Sequence, residues 1–166
     1  LSCLVGSEMC IRDSCKGKII FAGIGKSGLI ARKISATFSS VGIPSFFCDP
    51  AQALHGDMGQ IEKKDILIIF SYSGNTSELT NMIKYANRYS IKIIGIASKP
   101  DSILLKASDI KLILPKVKES DVTGMVPTSS TSITLLLGDC LATTIMQQKK
   151  FSKEKFKIYH PGGNLS

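Results

Sequence analysis

Five short apolar runs, each bounded by turn signals, constrain the fold of this chain more than any other feature. They are Lys18–Gly23 (KIIFAG), Ser45–Cys48 (SFFC), Asp65–Phe70 (DILIIF), Ile91–Ala97 (IKIIGIA) and Asp109–Leu114 (DIKLIL), the last stopped by Pro115. Runs of this length suit buried strands. The stretches between them carry helical spacing: Ser27–Ser40, where Ile30, Ile34 and Phe38 share a face, a helical turn at Pro50–His55, then Thr76–Tyr89 and Asp101–Ala107. A loop to Pro127 precedes a long apolar helix from about Thr128 to Lys149, and Ser152–Ile158 is predicted as a final short helix. Strands alternating with helices predict an α/β protein, a three-layer α-β-α sandwich around a five-stranded parallel sheet covered on both faces.

At 166 residues the chain suffices for one such domain and is short for two. Its first segment, Leu1–Ser14, has neither helical nor strand periodicity, and the string SEMCIRDS reads like vector or adapter sequence. It is set apart as a non-native-looking or disordered leader, leaving 15–166 as the domain. No apolar run approaches the roughly 18 residues of a membrane span, so the expectation is a cytoplasmic protein without a membrane partner. A formal charge of +8 invites a nucleic-acid reading, but the lysines are scattered rather than gathered with stacking aromatics, and a small anion is the better-fitting partner. Five cysteines without a C-x-x-C spacing predict neither a disulfide framework nor a zinc site, and Cys48 and Cys140 read as small core residues.

Parallel sheets place ligands beyond the carboxyl ends of their strands, which directs attention to the loops after Ala22, Phe70 and Leu114. The first, Gly23-Ile24-Gly25-Lys26-Ser27-Gly28, formally matches G-x-G-x-x-G, with Asp49 about twenty residues on as a dinucleotide site requires. A P-loop is excluded, because its first glycine would have to stand at Ile20. The second loop, Ser71-Tyr72-Ser73-Gly74-Asn75-Thr76, offers hydroxyls and a helix N-terminus to an anion, and a dinucleotide fold has no need of it. It also reads as a plain helix start, with Asn75 as N-cap and Glu78 closing a capping box.

A G-x-G-x-S loop followed downstream by S-x-S-G-x-T resembles the SIS domains, in which the latter loop cradles phosphate. From about Lys16 to Leu165 the chain is similar to the arabinose-5-phosphate isomerases of that family, through Gly25-Lys26-Ser27-Gly28, Leu54-His55-Gly56-Asp57, Pro127-Thr128-Ser129-Ser130-Thr131 and His160-Pro161-Gly162-Gly163. The resemblance implies an aldose-ketose isomerase that interconverts D-ribulose 5-phosphate and D-arabinose 5-phosphate through an enediolate. Ser71, Ser73 and Thr76 would then hold the phosphate, with Gly25 and Ser27 beside them. Thr128 and Ser129 would add hydroxyls, although that run equally reads as a helix cap.

Moving a proton between C1 and C2 needs a base facing the carbons and acids serving the oxygens. Glu78 and Glu119 match active-site glutamates of the family; Glu119 is taken as the proton-shuttling base and Glu78 as a partner that orients hydroxyls or shares the proton transfer, a division the sequence leaves open. Lys26 would stabilise the enediolate or the phosphate as a fixed charge. The chain's two histidines, His55 and His160, both fall in glycine-flanked motifs. His160 would assist ring opening from the carboxyl-terminal tail, and His55 is implied to serve a neighbouring protomer, since the family completes its sites at subunit contacts. A homotetramer, a dimer of dimers with shared sites, follows as the expected assembly. No obligatory cofactor or metal is expected. Many family members continue past HPGG into a pair of CBS domains, and every matched site residue here lies within Gly23–Gly163. Two other roles use the same phosphate loops: a hexulose-phosphate isomerase and a non-catalytic sugar-phosphate sensor. The sensor has no use for Lys26, Glu78, Glu119 and His160 together. The resemblance further implies supply of arabinose 5-phosphate for the octulosonic acid sugar of lipopolysaccharide or capsule.

Overall fold

In the computed structural model, which describes residues 16–162, strands and helices alternate as their periodicity requires. The order is β1 (Ile19–Gly23), α1 (Gly25–Ser40), β2 (Ser45–Phe47), α2 (Pro50–Ala53), β3 (Ile66–Phe70), α3 (Thr80–Arg88), β4 (Lys92–Ala97), α4 (Ile103–Ala107), β5 (Ile110–Ile113), α5 (Ser129–Gln148) and α6 (Lys153–Tyr159). Short 3₁₀ turns occupy Asp57–Gln60 and Ser77–Leu79. All strand pairings are parallel, in the order β2-β1-β3-β4-β5. The expected leader lies outside the described residues, as do Gly163 and Leu165. Among the described residues no helix is long and apolar enough to cross a membrane.

The pleat sorts each central strand onto two cores. Ile19, Phe21, Ile66, Ile68, Phe70, Ile94 and Ile96 face α1 and α5, where they meet Ile34, Phe38, Leu141 and Ile145. Their chain neighbours Ile20, Ala22, Leu67, Ile69 and Ile93 face the other way, onto Leu79, Met82 and Ile83 of the α3 segment and Leu104 and Leu105 of α4. A strand buried on both faces has no polar side, which is why the runs read as unbroken apolar stretches. Each such isoleucine contributes about 1.5–3 kcal/mol by leaving water.

Carboxylates tie the starts of neighbouring strands together, one of them buried and one exposed. Asp65, 2% exposed, accepts from Lys18 N at 2.7 Å and from Glu62 N at 2.8 Å, tying the beginning of β3 to that of β1. Asp109 does the same between β5 and β4, taking Ile93 N at 2.7 Å.

Helices α1 and α5 cross closely because Gly138 leaves room for Ile34; a Cβ at position 138 would lie 2.6 Å from Ile34 Cγ1. The Lys33–Asp139 ion pair beside the crossing, at 2.6 Å, is largely solvated and adds at most about 1 kcal/mol. Packing decides the crossing. Cys48 is buried as expected, and desolvation, with smaller help from Asp57 and Asp49, pushes its thiol up to about 11. Cys140 departs from expectation and is exposed, because the buried stripe of α5 runs through Gly138, Leu141, Ala142 and Ile145 and leaves position 140 on the solvent side.

Candidate active site at the carboxyl edge of the sheet

The strand order reverses direction between β1 and β3, and in open α/β sheets the crevice outside such a switch point is where ligands bind. The loops that leave β1 and β3 there are the two glycine- and hydroxyl-rich loops singled out in the sequence. A cavity of about 530 Å³ opens beside them, lined by Ile24, Lys26 and Ser27 from the first loop, Tyr72 from the second and Glu119 from the segment after β5. Lys118, Ser130, Thr131 and Thr134 complete much of its polar wall.

Each loop has a local reason for its shape. Gly28 lets α1 approach β1, since a Cβ there would stand 2.6 Å from Gly23 O. In the second loop Gly74 has φ +69 and leaves no room for a side chain, because a Cβ would collide with Ser102. Ser71 Oγ accepts from Gly74 N at 3.0 Å and shares a hydrogen bond with Thr76 Oγ1 at 2.8 Å. Ser73 Oγ accepts from Asn75 N at 3.3 Å and is exposed. The capping box is not formed: Asn75 Oδ1 accepts instead from Ile103 N at 3.0 Å, at the start of α4, while Ser77 Oγ donates to Glu78 Oε2 at 2.7 Å. The loop is thus held by Ser71 from within and by the start of α4 from outside, which leaves the Ser73 hydroxyl exposed while that of Ser71 is buried. Ser73 lines a second cavity of about 620 Å³, together with Ser98, Lys99 and Lys116.

Glu119 is held by the start of α5. Its Oε2 accepts from Thr128 N at 2.8 Å, Thr128 Oγ1 at 3.1 Å and Ser130 N at 3.2 Å. These donors, Ser130 foremost and then Thr128, lower its carboxyl to about 2, so it is ionised at neutral pH. The capping expected of the Thr128–Thr131 run therefore comes from a carboxylate upstream in the chain. Thr128 itself gives no side-chain cap, its hydroxyl instead accepting from Ser120 N at 2.9 Å. Ser129 is the first residue of α5 and lies next to this junction.

Within one chain the structure gathers Lys26, Ser27 and Glu119 on the first cavity, that of about 530 Å³, and brings Thr128 against Glu119. Glu78 and His55 are exposed and line neither of these cavities. Both stand at the same edge of the sheet but toward its other face, where Ala53 and Leu79 pack into one cluster. Glu78 is lowered by the Ser77 hydroxyl and then by its own backbone N–H. Gly25, with φ +58, opens α1 and borders a smaller cleft with Asp49. Asp49, the acid that a dinucleotide reading would require, caps α2 through Ala51 N at 2.9 Å.

His160 does not reach the cavity from its own chain's tail. Its ring stacks on Phe156 at 3.9 Å, and Tyr159 beside it packs on Gly42, in the turn that leads into β2 at the amino edge of the sheet. The 16 residues of α1, about 24 Å of helix, separate that turn from Gly25. Tyr72 and Lys118 are wall residues that sequence reasoning passed over. Tyr72 had a readable signal, standing between two cradle serines, whereas Lys118 was one lysine among many.

A family model for the SIS domain matches residues 14–144. The chain is 49% identical over 152 residues to an uncharacterized protein of Rickettsia prowazekii (strain Madrid E), covering 92% of this chain and 47% of that protein. It is 44% identical over 151 residues to the arabinose 5-phosphate isomerase KdsD of Escherichia coli (strain K12), covering 91% of this chain and 46% of that protein. The chain spans about half the length of the curated relatives it matches. Among solved structures, a protein of E. coli CFT073 in complex with arabinose 5-phosphate superimposes with a TM-score of 0.94 at 37% identity, covering 97% of this chain and 85% of that chain. With the family model running from the first strand through most of α5, and both phosphate-type loops inside it, the chain belongs to the SIS domain family.

Proposed function

We propose that this chain interconverts D-ribulose 5-phosphate and D-arabinose 5-phosphate through an enediolate. The observation that carries the reading is the convergence of Lys26, Ser27 and Glu119 on one cavity at the β1/β3 switch point, beside the hydroxyl loop, in a chain close to named isomerases of this reaction. The phosphate is held by Ser71, Ser73 and Thr76, with Gly25, Ser27, Thr128 and Ser129 around it. Glu119, ionised, takes the C1 proton of the ketose and returns it to C2, and Lys26 stabilises the oxyanion that forms between the two steps. A carboxylate with so low a proton affinity gains basicity when the substrate draws the Thr128 and Ser130 N–H groups away from it. Glu78 approaches the sugar from the other side of the switch point, and His55 serves the site of a neighbouring protomer. His160, on the far edge of its own subunit, completes the site of a neighbour in a homotetramer built as a dimer of dimers. C1 is oxidised as C2 is reduced within the one substrate, so the reaction calls for no redox cofactor. The cellular setting that fits is the cytoplasm, supplying arabinose 5-phosphate for the octulosonic acid of lipopolysaccharide or capsule, with residues 15–166 acting as one isomerase domain. Incubation with ribulose 5-phosphate in deuterated water tests the reading: arabinose 5-phosphate carrying deuterium at C2 is expected, and tight binding without any C1 or C2 exchange would make the chain a sensor.

A further inference from the structure

Tyr72 stands between two serines of the phosphate cradle, yet its side chain leaves the cradle. Its carbonyl is anchored at the end of β4 by Ser98 N at 2.8 Å and Ser98 Oγ at 2.7 Å. Its phenol accepts from Val117 N at 3.0 Å and donates to Pro115 O at 3.3 Å. Those two groups begin the segment that leads from β5 to Glu119. The ring is partly buried against the α1–α5 core and forms a wall of both cavities, the one with Lys26 and Glu119 and the one with Ser73, Lys99 and Lys116.

We infer that Tyr72 is a positioning residue that couples an anion on the Ser73 side to the placement of Glu119. This rests on the isomerase reading for its consequence but not for its geometry. An anion seated between Ser73 and the two lysines fixes the backbone of the cradle. Because Tyr72 is clamped at its carbonyl by Ser98, ordering of the loop is passed through a stiff ring to Pro115 and Val117. The segment carrying Glu119 is thereby ordered before the sugar is committed. Phosphate binding energy is spent on aligning the base, as an enzyme acting on a phosphorylated substrate requires.

The test is Tyr72→Phe, which keeps the ring and removes two hydrogen bonds, with Ser98→Ala as a milder companion that loosens the other end of the clamp. Hydrogen exchange of the Val117–Ser120 amides is followed with and without inorganic phosphate, and turnover of ribulose 5-phosphate is measured beside it. In the unaltered protein phosphate should slow exchange of this segment about tenfold. In Tyr72→Phe that protection should shrink to within about twofold, with phosphate affinity kept, and Ser98→Ala should fall between. The same Tyr72→Phe change should lower kcat about tenfold and leave KM within about threefold. Unchanged phosphate protection in Tyr72→Phe, or phosphate failing to protect the segment even in the unaltered protein, overturns the coupling. If protection follows Tyr72 while none of the proteins turns over ribulose 5-phosphate, the coupling stands and the isomerase reading falls.

Discussion

At Glu119 a contribution to stability meets the proposed chemistry. Its carboxyl lies at about 2 in the folded protein against an ordinary 4.5, because Ser130 and Thr128 donate to the ionised form. A carboxyl lowered on folding stabilises the protein fully above the ordinary value and loses that contribution as pH falls toward the folded one. Thermal unfolding followed from pH 4.5 down to about 2 should therefore show a steep fall for the unaltered chain and a flatter one for Glu119→Gln. Parallel curves would mean that the donors do not distinguish the two protonation states. The same substitution should depress C1/C2 proton exchange by about 10²-fold or more, since an amide cannot accept the proton. That Glu119 faces a crevice was legible, as it lies in the loop after the last strand. That it caps α5 was not. Its donors stand 9 and 11 residues further on, and nothing in the order Glu119, Thr128, Ser130 says that the loop between them turns back.

At the scale of elements, legibility followed burial. The central strands were read nearly to their ends because both faces are covered, so Ile66–Phe70 contains no polar position to confuse the period and β4 only the exposed Lys92 at its start. Element starts were less accessible. The helix expected from Thr76 begins as a 3₁₀ turn, since Asn75 is drawn away to α4 by Ile103 N and gives its own segment no cap. The α1–α5 crossing was illegible, because Gly138 in a helical run reads as a weak spot until Ile34 is seen against it. Gly138→Val should place its branched side chain on Ile34 Cγ1 and Cγ2 and cost about 1–3 kcal/mol, measured as a lowered denaturant midpoint. Adding Ile34→Ala should return part of that loss, as two changes in one contact are not additive. If the double variant is less stable than the sum of the single effects, the crossing is not governed by that contact.

Over the whole molecule the proposed site residues are divided between the two edges of the sheet. Lys26, Ser27 and Glu119 share a cavity at the carboxyl edge, whereas His160 is stacked on Phe156 near the opposite edge. No sequence pattern could have told which edge the tail would reach, because that depends on the length of α5 and on where α6 lands against Gly42. If both groups serve one reaction, they must come from different subunits. Glu119→Gln and His160→Ala should each be inactive alone, while a mixed assembly, unfolded together and refolded at equal amounts, should regain activity. A site that draws Glu119 from one subunit and His160 from another is intact in about a quarter of random pairings, so turnover should recover to about a quarter of the unaltered level. Refolding the two variants separately and mixing them afterwards gives the control, which should remain inactive while subunits do not exchange. Recovery confined to the co-refolded sample would place His160 across a subunit contact. No recovery, with the assembled state confirmed by light scattering, would remove His160 from the chemistry or return it to its own chain's site.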